Sequence, residues 1–231
     1  MTTGLSGKTS ERLESFGELE LWLLGQDAIE EFNRHVYTVY NEAFGPVPME
    51  EIAPAAYENF SRARVCGVRH ASGKLVGTWG LIVRELGGHE APLPTEKAYG
   101  LDLRKTVQDL GASEVTHVFN GWRTAINKEA LVEFKIDRTQ SIFIFDLLLR
   151  GLTQDFAGNE NAFLGIADME MLVYKYHRRI GIPWQQIGEA IHFWNRDRYP
   201  FAFKLGEYRD YMRAHHAERA AFLFDKDRGA A

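Results

Sequence analysis

The stretch DMEMLVYKYHRRIGIPWQQIG, residues 168–188, decides the fold. A helical pattern loaded with bases and aromatics runs into Gly181-Ile182-Pro183 and then alternates like a strand. Met169, Leu172, Val173, Tyr176 and Ile180 recur at helical spacing. That spacing predicts a helix over 168–180 with this stripe on a sheet and Lys175, Arg178 and Arg179 in water. Gly181 caps the helix and Pro183 stops it. Bases in a last turn favour the negative helix end by about 0.3–1 kcal/mol each, so they have a structural explanation without any ligand.

Working outward, NAFLGIA (161–167) reads as a short apolar strand. Before it, a helix over 139–156 carries Ile142, Phe145, Leu149, Leu152 and Phe156 on one face, widened by Ile144, Leu147 and Leu148, so it is deeply buried. After the opening stretch, PWQQIGEAIHFWN and PFAFKL read as two strands with a turn at 195–199, and an amphipathic helix covers 206–224. Nearer the start, ELELWLL (18–24) is strand-like. Asp27 and Glu30 form the pattern of a capping box, opening a helix through Ile29, Phe32, Val36, Val39 and Ala43 to Gly45-Pro46. A helical piece around 49–62, broken near Pro54, comes next. Residues 63–85 form a hairpin around Gly73. A loop runs through Gly87-Gly88 and Pro92/Pro94, DLRKTVQDL is a short helix, and 128–136 is a short helix or loop. EVTHVFNGWRTAIN (114–127) is a strand with a bulge expected at Gly121. The whole predicts a three-layer α/β/α fold, flanked by a flexible arm at 1–15 and a flexible tail at 226–231, with one domain over 16–225.

Composition narrows the function. The chain has 231 residues, 45% hydrophobic and 26% charged, with a net charge of -5 at pH 7. That supports a packed core and argues against bulk nucleic-acid binding. The polar start lacks the apolar region of a secretory leader, no apolar run reaches the length of a membrane span, and Cys66 is the single cysteine. A cytoplasmic enzyme with no integral membrane contact is the expectation. The histidines show no metal-ligand spacing, and there is no nucleophile elbow or Walker loop. Cys66, inside a strand pattern, reads as core.

The ordered set VYNEAF, GKLVGTWGLI, PLPTEKAYG, HVFNGWRTAI and YHRRIGIPWQQIG resembles the Gcn5-related N-acetyltransferase superfamily. Within it, the order is closer to the acyl-homoserine-lactone synthases and the long-chain N-acyl amino acid synthases. The resemblance spans about 18–206 and implies a mixed, mostly antiparallel sheet flanked by helices. Tyr40, Gly80 and Asn120 stand where the lactone synthases carry an arginine, an arginine and an acidic residue, while Arg123 keeps its place. KIDRTQSIF (135–143) replaces the acetyltransferase Gln/Arg-x-x-Gly-x-Gly/Ala signature.

The resemblance implies transfer of an acyl group from an acyl carrier protein or coenzyme A thioester to the amine of an amino acid, with no permanently bound cofactor and no metal. Arg138, Thr139, Gln140 and Ser141, at a helix start, would hold the pantetheine and pyrophosphate. His177, with Tyr176 beside it, would protonate the leaving thiolate. His117 and Asn120 would face the amine, and Arg123 would hold a substrate carboxylate. Trp122, Phe119, Phe143 and Phe163, with Phe145, Phe193 and Trp194, would line an acyl cleft. Lys135, Arg138, Lys175, Arg178 and Arg179 would steer an acidic carrier. Two alternatives stand beside this reading: an autoinducer synthase with altered substrate contacts, and a non-catalytic binder of acyl thioesters or lipids. The state is monomer or dimer, and a purely structural dimer using the aromatic cleft as its interface is a third possibility.

Overall fold

A computed structural model describes residue 7 and residues 9–46, 58–193 and 195–225. In chain order the elements are β1 (Glu11–Phe16), β2 (Leu19–Leu23), α1 (Ile29–Phe44), β3 (Ala63–His70), β4 (Leu75–Glu85), α2 (Pro94–Tyr99), α3 (Leu103–Asp109), β5 (His117–Ile126), α4 (Lys128–Glu133), α5 (Arg138–Thr153), β6 (Phe163–Met169), α6 (Met171–Arg179), β7 (Gln185–Gln186), β8 (Ile191–Phe193), β9 (Arg196–Lys204), α7 (Leu205–His215) and α8 (Ala217–Phe224). This is an α/β fold with a mixed, mostly antiparallel sheet flanked by helices. The helical piece around 49–62 falls largely outside the described residues, as do Trp194 and the tail from 226.

The chain divides into two compact units, with β4 and β5 contributing to both. The first unit draws on residues up to Leu81 and on Arg123–Asp155. Its β1, β2 and β3 pair antiparallel in sequence, and β3 turns into β4 at Gly73, whose φ of 88° is left-handed. The hairpin expected over 63–85 is present because that turn residue can adopt the conformation at no steric penalty. Helix α5 packs on β2 and β3 and buries Ile144, Leu147, Leu148 and Leu152.

Two expectations fail in this unit. Residues 11–15, read as part of a loose arm, belong to β1, paired with β2 from Glu11↔Leu23 to Phe16↔Leu19. The capping box at Asp27 does not form. A 3-10 turn spans Gln26–Ala28, and the Asp27 carboxylate accepts instead from the Ser10 N–H (3.1 Å) and hydroxyl (2.7 Å). A contact across seventeen residues takes the carboxylate that the local pattern assigns to the helix.

The second unit holds Ile82–Trp122 and Phe156–Asp225. Strand β5 pairs with β6 in parallel, and β9 pairs antiparallel with β6, β7 and β8. Alternation along these registers sorts the side chains onto two faces. His117, Phe119, Phe163, Gly165, Phe201 and Phe203 share one face, and Val118, Asn120, Ile166, Asp168 and Arg198 share the other. Gly165 is required here: a Cβ would lie 2.4 Å from Phe203 Cε1 and 2.6 Å from Phe119 Cζ.

The stretch that decides the fold does form strand, helix, Gly181 cap and strand, with Gly181 at φ 96°. Its helical phase differs from expectation. On α6, Tyr174 stacks on Phe201 (4.6 Å) and His177 is buried, whereas Leu172 (75% exposed), Val173 and Tyr176 face solvent with Lys175, Arg178 and Arg179. The aromatic face of β9 offers stacking partners, and these select Tyr174 and His177 over the aliphatic stripe. The strand pattern of 183–195 yields only the short β7 and β8, β9 begins at Arg196 inside the predicted turn, and the final helix breaks at His216. A further helix, α2, starts inside the predicted loop. Pro94 supplies its first position, and Glu96 Oε2 accepts from the Leu93 N–H (2.9 Å).

Candidate active site

The predicted catalytic residues do not come together. His177 and His117 lie on one face of the second unit's sheet and Asn120 on the other. His177 Nδ1 accepts from the Trp184 indole N–H at 3.1 Å, and burial lowers its pKa to about 4. It is therefore a buried, neutral imidazole near pH 7 rather than the charged proton donor expected for the leaving thiolate. Tyr176 is 39% exposed on the solvent side of α6, with its ring centroid 6.0 Å from that of His177. His117 bonds to the Thr116 hydroxyl through Nδ1 (2.8 Å) and stacks on Phe163 at 5.1 Å.

Of the aromatic candidates in this unit, Phe119, Trp122 and Phe163 are core, whereas Phe193 on β8 is 40% exposed. Phe163 stacks on Phe156 (4.1 Å), Phe119 lies against Phe156 and Phe203 (5.7 Å each), and Trp122 is buried. In the first unit, Phe143 meets Phe16 edge-on at 5.6 Å. Arg123 takes a left-handed φ of 54°, two residues beyond the glycine where the irregularity was expected, and its guanidinium lies 5.6 Å from the Tyr40 ring. At the start of α5, Asp137 Oδ1 accepts from the Gln140 N–H (2.8 Å) and Gln140 Oε1 accepts from the Asp137 N–H (3.0 Å). The helix start that carries Arg138, Thr139, Gln140 and Ser141 is thus capped reciprocally by its own side chains. Cys66 is fully buried, which pushes its thiol up to about 12, as expected of a core cysteine.

Asn120 alone of the predicted set sits in a polar cluster. It is 1% exposed; its Oδ1 accepts from the Thr95 N–H (2.7 Å) and its Nδ2 donates to Gly121 O (2.6 Å). The Thr95 hydroxyl donates to Asp168 Oδ1 (3.2 Å). Asp168 Oδ2 lies 2.8 Å from Arg198 Nε, and the same guanidinium donates through a terminal nitrogen to Asp168 O (2.8 Å). Tyr99, at the end of α2, completes the group. Its hydroxyl is buried, and burial together with the Asp168 charge pushes its pKa upward against the opposing effect of Arg198, so it remains a neutral donor.

Sequence reasoning missed Thr95, Tyr99, Asp168 and Arg198. Thr95 and Tyr99 lie in the unpredicted α2. Asp168 and Arg198 are thirty residues apart and meet only through the β6–β9 pairing. The available signal was Asp168 itself, an acid closing the apolar run FLGIA.

The pairing of β5 with β6 also ends at this point. It runs from His117↔Phe163 to Asn120↔Ile166 and stops, although β5 continues to Ile126 and β6 to Met169. The last paired residue is the one held by Thr95.

No protein-family model matches the chain, and no curated protein is similar to it in sequence. Solved structures are similar in fold. FeeM, an N-acyl amino acid synthase from uncultured soil microbes, superposes with a TM-score of 0.56 at 16% identity, covering 88% of this chain and 96% of FeeM. The AHL synthase LasI gives a TM-score of 0.53 at 15% identity, covering 91% of this chain and 96% of LasI.

Proposed function

On the Gcn5-related N-acetyltransferase fold that these likenesses establish, we propose that the chain is an N-acyltransferase, moving an acyl group from a carrier-protein or coenzyme A thioester to the amine of an amino acid. The observation that carries this reading is the end of β5–β6 pairing at Asn120↔Ile166. Parallel strands that stop pairing while both continue offer backbone donors and acceptors along a slot. An extended chain with amide groups, such as pantetheine, fits such a slot by strand-like hydrogen bonding. The Asn120–Thr95–Asp168–Arg198 cluster lies beside it on the same unit and would receive the acceptor.

In this reaction the amine, once deprotonated, attacks the thioester carbonyl. The C–N bond forms, the C–S bond breaks with its electron pair going to sulfur, and the thiolate takes a proton to leave as the thiol. Tyr99, held neutral, is a candidate hydrogen-bond donor to the acceptor substrate in this cluster. Lys175, Arg178 and Arg179, all exposed on α6, would attract an acidic carrier.

The direct test is thiol release from C8–C16 acyl-carrier-protein and acyl-coenzyme A thioesters with pooled amino acids, products being read by mass spectrometry. An N-acyl amino acid is the expected product. Tight thioester binding with no thiol release from any donor would overturn the catalytic reading in favour of a non-catalytic binder.

A further inference from the structure

We propose that Asp168 and Arg198 read the zwitterion of an α-amino acid, Asp168 taking the ammonium and Arg198, with the Tyr99 hydroxyl, taking the α-carboxylate. This deepens the N-acyltransferase reading and rests on it for the identity of the bound molecule as the acyl acceptor.

Four features of the cluster point this way. The ammonium and carboxylate of an α-amino acid sit on one carbon, so their reader must hold an anion and a cation side by side, as Asp168 and Arg198 are at 2.8 Å. Both side chains remain partly open, at 25% and 18% exposure, so a ligand can reach them. Each is anchored independently of the other's charge. Thr95 donates to Asp168 Oδ1, and Arg198 donates to the Asp168 backbone carbonyl, so each side chain keeps a hydrogen bond when a ligand parts Oδ2 from Nε. Finally, two donors await acceptors. The Tyr99 hydroxyl and the Arg198 Nε–H are buried and make no hydrogen bond among the described residues; Nε is near Oδ2 but poorly aligned with it. Buried donors are normally satisfied. A ligand carboxylate brings two acceptor oxygens, one for each. A purely structural ion pair would leave the Tyr99 hydroxyl unexplained and the Arg198 Nε–H misaligned.

The test is calorimetric binding of the twenty proteinogenic amino acids and their decarboxylated amines to the full chain, for example L-phenylalanine against 2-phenylethylamine. The wild type is expected to bind at least one amino acid about 30-fold or more tighter than its decarboxylated amine, the discrimination given by a charge-assisted carboxylate contact. Arg198→Gln should reduce that ratio to about 3-fold or less, and Arg198→Lys, which keeps charge but loses the fork, should fall between. Asp168→Asn should weaken acid and amine alike. Tyr99→Phe, which preserves packing, should reduce the ratio without changing amine affinity, and thermal unfolding checks that each variant folds. An unchanged ratio in Arg198→Gln, Arg198→Lys and Tyr99→Phe would overturn the proposal, as would a wild type that favours no amino acid over its amine. Amino-acid binding with no thioester consumed would sink the transferase reading and leave this one standing. Acylation of amines as efficient as that of amino acids would do the reverse.

Discussion

The indole N–H of Trp184 donates to Nδ1 of His177 at 3.1 Å, inside the packing between α6 and the aromatic face of β9. The bond fixes the neutral ring with its proton on Nε2, and burial holds the pKa at about 4, below its ordinary 6.5. The unfolded chain therefore binds the proton more readily. This contribution to stability is complete above about pH 6.5 and is lost as pH falls towards about 4, at up to about 1.4 kcal/mol per pH unit. His35, also lowered by burial, acts in the same direction. His177→Asn offers an acceptor near Nδ1 without titrating. Urea unfolding between pH 4.5 and 7 should give a shallower slope for the variant than for the wild type; parallel curves would remove His177 from the account.

Gly165→Ala places a methyl within 2.4 Å of Phe203 and 2.6 Å of Phe119. Both neighbours are buried and interlocked, so neither can yield cheaply, and a loss of about 1–3 kcal/mol in unfolding free energy is expected. Phe119→Leu in the same chain should recover part of that loss. Non-additivity of the two changes is the quantity to measure.

Cys66 should resist alkylation in the folded protein. The thiol is fully buried and its pKa is raised to about 12, so thiolate forms only when the first unit opens. Iodoacetamide labelling at pH 8 should be at least about 1,000-fold slower than in denaturing urea, as expected of a core group in a domain of ordinary stability. Rapid labelling of the native protein would contradict the packing.

Charge reversal at Arg178 and Arg179 should weaken the binding of an acyl carrier protein by about 10-fold at low salt and by less at 0.5 M salt, because the pair acts by steering across solvent. Leu172→Ser on the same exposed surface tests whether apolar contact adds to it. Surface plasmon resonance at two ionic strengths separates the terms, and salt-independent affinity would rule out this docking face.

Local rules captured the parts of the fold that short-range chemistry governs. Gly73 made the β3–β4 hairpin legible, and the Gly181-Ile182-Pro183 stop made the end of α6 legible, because each depends on a few adjacent backbone conformations. The phase of α6 was not legible. Counting apolar residues favours Leu172, Val173 and Tyr176, but the helix packs on aromatic rings whose position is known only once β9 is in place. Asp27 looked like a cap because its partner Ser10 lies outside the window in which caps are read. The candidate site was hidden for the same reason. Asn120 could be singled out from its strand, whereas Asp168, Arg198, Thr95 and Tyr99 come from three elements that only the sheet register unites.

Strand β1 has a consequence for handling the protein. Its ERLESF sequence puts Glu11, Arg12 and Glu14 along the outermost strand of the first unit, and Glu14 pairs with the buried Arg150 at 2.8 Å. Shortening the chain to begin at residue 17 would bare the LELWL strand as a new sheet margin and remove the Glu14 carboxylate that pairs with Arg150. Such a margin recruits other chains edge to edge. These six residues act as a solubility guard, and a version lacking them should precipitate rather than merely lose a terminus.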